Sequence, residues 1–102
     1  MPELPEVEII RRELSPIMFR ERIVDIEIFD TKIQLQPNDI LNKIIIELVR
    51  KGKYLFLILN DSSSLLFHMG MTGSLIYTTA RENLRFQRVL ISLSQGFISF
   101  CD

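Results

Sequence analysis

The sequence predicts an α+β domain that is mainly β: a two-layer antiparallel sandwich of about seven to eight strands with one N-terminal helix packed against it. Three observations carry that expectation. Apolar residues at helical spacing, Val7, Ile10, Leu14 and Ile17, open the chain. The remainder of the chain reads as short β-rich runs, separated by glycine or Asn-Asp-Ser turn signals short enough to imply antiparallel neighbours. At 102 residues, 47% of them hydrophobic, the chain fills one core and is too short for two ordinary domains.

The helix is expected over Pro5 to Ser15. Proline suits its first turn, Glu6 and Glu8 suit the positive end of the helix dipole, and Arg11 and Arg12 come later. Pro16 removes a donor and disfavours helical geometry at Ser15, which sets the end there. From Arg22 to Phe29 the period changes to two, with Val24, Ile26 and Ile28 on one face and Asp25 and Glu27 on the other, a half-buried strand. Further strands are expected at Lys43 to Arg50, Lys53 to Leu59, Ser64 to His68 and Ser74 to Thr79. Gly52, Asn60-Asp61-Ser62 and Gly70 to Gly73 divide them. Pro37 to Leu41 suits one helical turn, and Arg88 to Leu93 with Phe97 to Phe100 form a final hairpin around Ser94-Gln95-Gly96.

The longest apolar run, Tyr54 to Leu59, has six residues, against about 18 to 20 for a membrane-spanning helix, so no membrane partner is expected. The opening Met1-Pro2-Glu3-Leu4-Pro5-Glu6 is acidic and proline-broken, unlike an export signal, and a cytoplasmic location is expected. One cysteine, Cys101, and one histidine, His68, make neither an internal disulfide nor a four-ligand zinc site, so no metal or cofactor is expected. The net charge of −1 hides an asymmetry: residues 1–47 carry six basic and ten acidic side chains, residues 48–102 six basic and three acidic. Arg50, Lys51 and Lys53 form one basic group and Arg81, Arg85 and Arg88 another, which suits either a phosphate-facing strip or an ordinary solvated surface.

Chemistry concentrates at three places. Loss of the initiator methionine before a small residue exposes Pro2 as a secondary amine, and terminal amines titrate near pH 8, leaving a fraction free to attack carbon. Glu3 and Glu6, three apart, fall on one side of the helix start, where they either shuttle protons beside that amine or simply favour the dipole. Met69-Gly70-Met71-Thr72-Gly73 comes directly after His68 and between two strands. It is either a hairpin with core methionines, or a loop in which His68 holds a phosphate and Met71 enters a base stack.

The opening Pro2-Glu3-Leu4-Pro5-Glu6-Val7-Glu8, the segment Lys51-Gly52-Lys53-Tyr54-Leu55, and His68-Met69-Gly70-Met71-Thr72-Gly73 together resemble the N-terminal domain of bacterial formamidopyrimidine-DNA glycosylase, in the same order and separations. The resemblance implies a bifunctional base-excision repair enzyme that removes oxidised purines from damaged double-stranded DNA and then cuts at the abasic site. It implies Pro2 as the nucleophile forming a Schiff base, Glu3 as proton donor or relay, and Glu6 as support for that network. Lys53 would be the proton donor of β-elimination and, with His68, hold the flanking phosphate, while Met71 fills the vacated stack. No residue is implied as a metal ligand.

The resemblance spans residues 1–102 as an N-terminal catalytic domain. The family's helix-two-turn-helix and zinc-finger domains, its zinc, and the arginine and phenylalanine completing its wedge are expected to be absent. The family's histidine-rich segment is altered here to Phe86-Gln87-Arg88. On this basis the chain is expected to be a glycosylase/lyase domain weakened by truncation, the alternatives being a catalytically silent remnant, a weak damaged-DNA-binding module or a sandwich without a DNA role. Self-association through the surface left by a missing domain is expected too.

Overall fold

The computed structural model describes residues 3–30, 33, 35–70 and 72–102, with residues 3–5 described in the backbone alone. Helix α1 (Glu3–Met18) precedes seven strands: β1 (Ile23–Ile28), β2 (Ile45–Lys51), β3 (Tyr54–Leu59), β4 (Ser64–His68), β5 (Ser74–Thr78), β6 (Gln87–Leu93) and β7 (Phe97–Cys101). A single 3-10 turn, Pro37–Asp39, stands at the position of the expected helical turn. The strands form two antiparallel sheets, one of order β1-β6-β7-β5 and one of order β2-β3-β4. The sandwich with its N-terminal helix is as the sequence predicts.

Helix α1 outruns its expected end, passing through Pro16 to Met18. A proline inside a helix costs about 3 kcal/mol. Met18, 1% exposed, offsets much of this, since burying such a side chain contributes about 1.5–3 kcal/mol. The Phe19 N–H donates to the Ser15 carbonyl at 3.2 Å, so the ladder resumes beyond the proline. Arg20 then takes a left-handed backbone (φ 69°) and donates to the Ile45 carbonyl at 2.8 Å, handing the chain to β2. The inward stripe is Val7, Leu14 and Met18 with Ile10 against it, and Ile17, expected inside, faces out at 48% exposure.

A β-bulge corrects the second expectation. In β1 the register shifts between Ile23 and Asp25, so Ile23 and Ile26 point inward while Val24 is exposed. The same device between Ile45 and Glu47 in β2 turns Ile45 and Leu48 in and Ile46 out. Strict period-two alternation holds where no bulge intervenes, as for Leu55, Leu57 and Leu59 of β3, all buried. Phe67 of β4 and Phe100 of β7 meet across the two sheets at 5.5 Å and 43° between ring planes, a tilted pair at the centre of the core. Buried Glu21 fastens the end of α1 to the β6–β7 turn. Its carboxylate accepts from the Tyr77 hydroxyl at 2.8 Å, the Ser94 hydroxyl at 3.3 Å and the Gln95 N–H at 2.5 Å. Segment 69–73 joins β4 of one sheet to β5 of the other, so it is a crossover and not a hairpin.

Candidate functional site

The β2–β3 hairpin closes at Lys51 and Tyr54 through two residues. Gly52, the first of them, has φ +60°, the position at which a type II′ hairpin turn requires glycine. Lys53 is the second, half-buried. The β3–β4 register sets Tyr54 opposite His68, and their rings stack with centroids 4.5 Å apart and 18° between planes. His68 is itself exposed. The Met69 N–H donates to the Lys53 carbonyl at 2.8 Å, and the Gly73 N–H donates to the Met69 carbonyl at 2.7 Å. A Cβ on Gly73 would lie 2.4 Å from that same oxygen, so only glycine permits the closure. The turn carrying Lys53, the strand end carrying His68 and the 69–73 loop are therefore one hydrogen-bonded unit at one end of the sandwich.

Glu8 brings the helix start to that end. Its Oε1 accepts from Arg50 Nε at 2.9 Å and Arg11 Nε at 3.0 Å, and its Oε2 from Arg11 Nη2 at 2.7 Å and Arg12 Nε at 2.9 Å. Hydrogen bonds from Arg11, then Arg50 and Arg12, hold the Glu8 carboxyl far below the usual carboxylate range. Arg50 also donates to the Gly52 carbonyl at 3.2 Å, so one guanidinium spans the helix and the β2–β3 turn. Glu8 belongs to the opening heptapeptide, yet the sequence alone assigns it no role in a site. Its bonds to Arg11 and Arg12 arise from i+3 and i+4 spacing; its bond to Arg50, 42 residues away, has no local signal.

The second sheet completes the same end. Thr72 donates its hydroxyl to the Asp102 carboxylate, the Asp102 N–H donates to the Phe86 carbonyl at 3.0 Å, and Arg88 Nε donates to the Asp102 carbonyl at 2.8 Å. The two basic groups do not survive as one free strip. Arg50 is held by Glu8, Arg81 by Glu27, and Arg88 lies 3.7 Å from Asp30, while Lys51 and Arg85 stay exposed. Of the residues expected to carry chemistry, Lys53 and His68 lie on the one hydrogen-bonded unit at this end, and Glu6 lies exposed on the first turns of α1. Glu3 is in the helix backbone, and Pro2 and Met71 lie outside the described residues. Among the described residues no three His, Cys, Asp or Glu side chains group as metal ligands, and no helix is long and apolar enough to cross a membrane.

Residues 1–102 match the family model of the formamidopyrimidine-DNA glycosylase N-terminal domain. The chain belongs to the formamidopyrimidine-DNA glycosylase family. It is 35% identical over 103 residues to the formamidopyrimidine-DNA glycosylase of Moorella thermoacetica, an alignment covering 94% of this chain and 38% of the relative. It is 38% identical over 111 residues to that of Desulfitobacterium hafniense, covering all of this chain and 40% of the relative. The chain thus spans about two fifths of the length of these curated relatives. The fold is similar to Lactococcus lactis Fpg (MutM) in complex with FAPY-dG-containing DNA, at TM-score 0.88 and 27% identity over 98% of this chain and 40% of that one. It is similar as well to MutM in complex with carbocyclic 8-oxo-G-containing DNA, at TM-score 0.87 and 28% identity over 97% of this chain and 40% of that one.

Proposed function

We propose that the chain is the catalytic domain of a base-excision DNA glycosylase with abasic-site lyase activity, acting on oxidised purines in duplex DNA. The observation that carries this reading is the Arg50 bridge. By bonding Glu8 at 2.9 Å and the Gly52 carbonyl at 3.2 Å, it gathers the start of the helix, Lys53 and His68 at one end of the molecule. The Pro2 nitrogen, freed of Met1, attacks C1′ of the damaged nucleotide, the bond from C1′ to the base breaks, and the base leaves with the proton that the nitrogen gives up. Glu3 protonates the sugar-ring oxygen as C1′ opens to an iminium, with Glu6 supporting that proton relay. Water then takes the C2′ proton and the bond from C3′ to the 3′ phosphate breaks, with Lys53 as the proton donor to the departing phosphate oxygen. Lys53 and His68 hold the flanking phosphate, a positioning contact, and Met71 fills the stack from which the nucleotide has left, offsetting part of an unstacking cost of a few kcal/mol.

The test is borohydride trapping on an abasic-site duplex at low salt, read by intact mass, beside a Pro2→Gly variant and a preparation retaining Met1. The expected result is a covalent adduct that forms on the Met1-free chain, falls in Pro2→Gly and is missing when Met1 blocks the nitrogen. No adduct from a folded, Met1-free sample overturns the lyase mechanism.

A further inference from the structure

Phe86 is the most exposed large apolar side chain among the described residues, at 62%, and it sits in a left-handed backbone conformation (φ 60°). That conformation is a genuine outlier for a bulky side chain. A ring this exposed returns little burial to offset the strain. The backbone holds it there all the same: the Phe86 carbonyl accepts from the Asp102 N–H at 3.0 Å, and the Asp102 carboxylate accepts from Thr72 in the 69–73 loop. Between ring and loop lies an open cavity of about 330 Å³, lined by Thr72, Ser74, Phe86, Arg88, Cys101 and Asp102. This volume is near the lower end for small-molecule pockets, about 300–1,000 Å³. The Arg85 guanidinium lies 4.9 Å from the centroid of the Phe86 ring. Among the described residues Arg85 makes no ion pair, in contrast to Arg81 and Arg88.

We propose that Phe86 is a stacking platform for an unpaired nucleobase, with Arg85 on the adjoining phosphate. The inference rests on the DNA-directed reading above and adds to it a base contact on the four-stranded sheet. An exposed aromatic ring whose neighbouring guanidinium makes no ion pair is the arrangement that binds unstacked nucleic acid: the open side of the ring accepts any base, and the cation tracks the backbone. The platform is joined through Asp102 and Thr72 to the loop beyond His68, so a nucleotide displaced beside that loop meets it.

The experiment is fluorescence-anisotropy binding to a duplex with one abasic site, at low salt, for the full chain and for Phe86→Leu, Phe86→Trp, Phe86→Gly and Arg85→Gln. Losing one base stack weakens binding about 5- to 150-fold, so Phe86→Leu and Phe86→Gly are expected to raise Kd by that factor and Phe86→Trp to keep it. The chain has no tryptophan, so the introduced indole is the sole such reporter and its emission is expected to be quenched by DNA. Arg85→Gln is expected to flatten the salt dependence by about one charge. Phe86→Gly separates this role from a structural one: it relieves the left-handed strain and is expected to hold or raise Tm while losing affinity. Unchanged Kd in Phe86→Leu, or unquenched tryptophan at saturating DNA, overturns the platform alone. No salt-sensitive binding by the wild-type chain overturns the DNA reading and the platform with it.

Discussion

Replacing Gly73 by alanine tests whether the 69–73 loop is built by close backbone approach. The new Cβ would lie 2.4 Å from the Met69 carbonyl oxygen and 2.9 Å from that residue's C and Cα, all backbone atoms. A side chain could swing away; this backbone is tied, because the Met69 N–H is bonded to Lys53 at 2.8 Å and the Met69 side chain is 1% exposed. The loop must open, breaking the 2.7 Å bond from the Gly73 N–H. A lost hydrogen bond costs about 1 kcal/mol and overpacking about 1–3 kcal/mol, which sums to about 2–4 kcal/mol. For a domain near 100 residues each kcal/mol moves Tm by about 4–8 °C, so a fall of about 10 °C or more is expected. Gly52→Ala is the internal control. Its Cβ would meet nothing within 4 Å, leaving only the left-handed penalty of about 1–2 kcal/mol, partly offset by a stiffer unfolded chain. Urea unfolding monitored by circular dichroism, with thermal melts, measures both. If Gly73→Ala lies within about 0.5 kcal/mol of wild type, or costs less than Gly52→Ala, the close-approach argument is wrong.

Glu8 titrates far below its ordinary value of 4.5 because Arg11, Arg50 and Arg12 bind it. Its contribution to stability is therefore present above about pH 4.5 and lost as pH falls below it. Glu8→Gln is expected to lower the neutral-pH urea midpoint and to flatten its acid dependence; an acid limb identical to wild type would show the network to be idle. Tyr77 moves the other way, raised from 10.0 to about 12 by burial and then by its bond to Glu21. Stability resting on the neutral phenol holds below pH 10 and is lost between about pH 10 and 12, a loss that pH-dependent melts should show to be missing in Tyr77→Phe.

The parts of the fold legible in the sequence are those governed by local rules. The strands from Ser64 to His68 and over Ser74 to Thr78 come from short β-rich runs between turn residues, and Gly52 marks its hairpin because the required φ is a property of that one residue. Where the sequence reading fails, a tertiary contact outweighs a local preference. Pro16 ought to end α1, but Met18 is buried and Arg20 is bonded to Ile45, so the last turn is held from outside the helix. The bulges in β1 and β2 turn Val24, expected with Ile26 and Ile28, and Ile46 outward, and nothing local announces a bulge when neither residue is glycine. The site divides likewise. Lys53 and His68 stand out as residue types in a loop and at a strand end, whereas Glu8 meeting Arg50 and Phe86 meeting Asp102 depend on register between distant segments.

That division bears on how the proposed DNA-directed function fits a weakly charged chain. Residues 48–102 carry six basic and three acidic groups, yet Arg50, Arg81 and Arg88 are used within the protein, one to fix the helix against the β2–β3 turn and two to fix the outer strands. Each internal pair withholds a cation from phosphate, and the Arg50 pair adds rigidity to the end that carries Lys53 and His68. The exchange favours chemistry over affinity. A nucleophile gains more from reactants held in line than from tighter ground-state binding, since binding substrate and transition state equally leaves the barrier unchanged. In the proposed mechanism discrimination then falls to contacts an intact duplex does not offer: an electrophilic C1′ for Pro2, and an unpaired base for Phe86. Both exist only at a lesion, which makes the shortage of charge a source of selectivity.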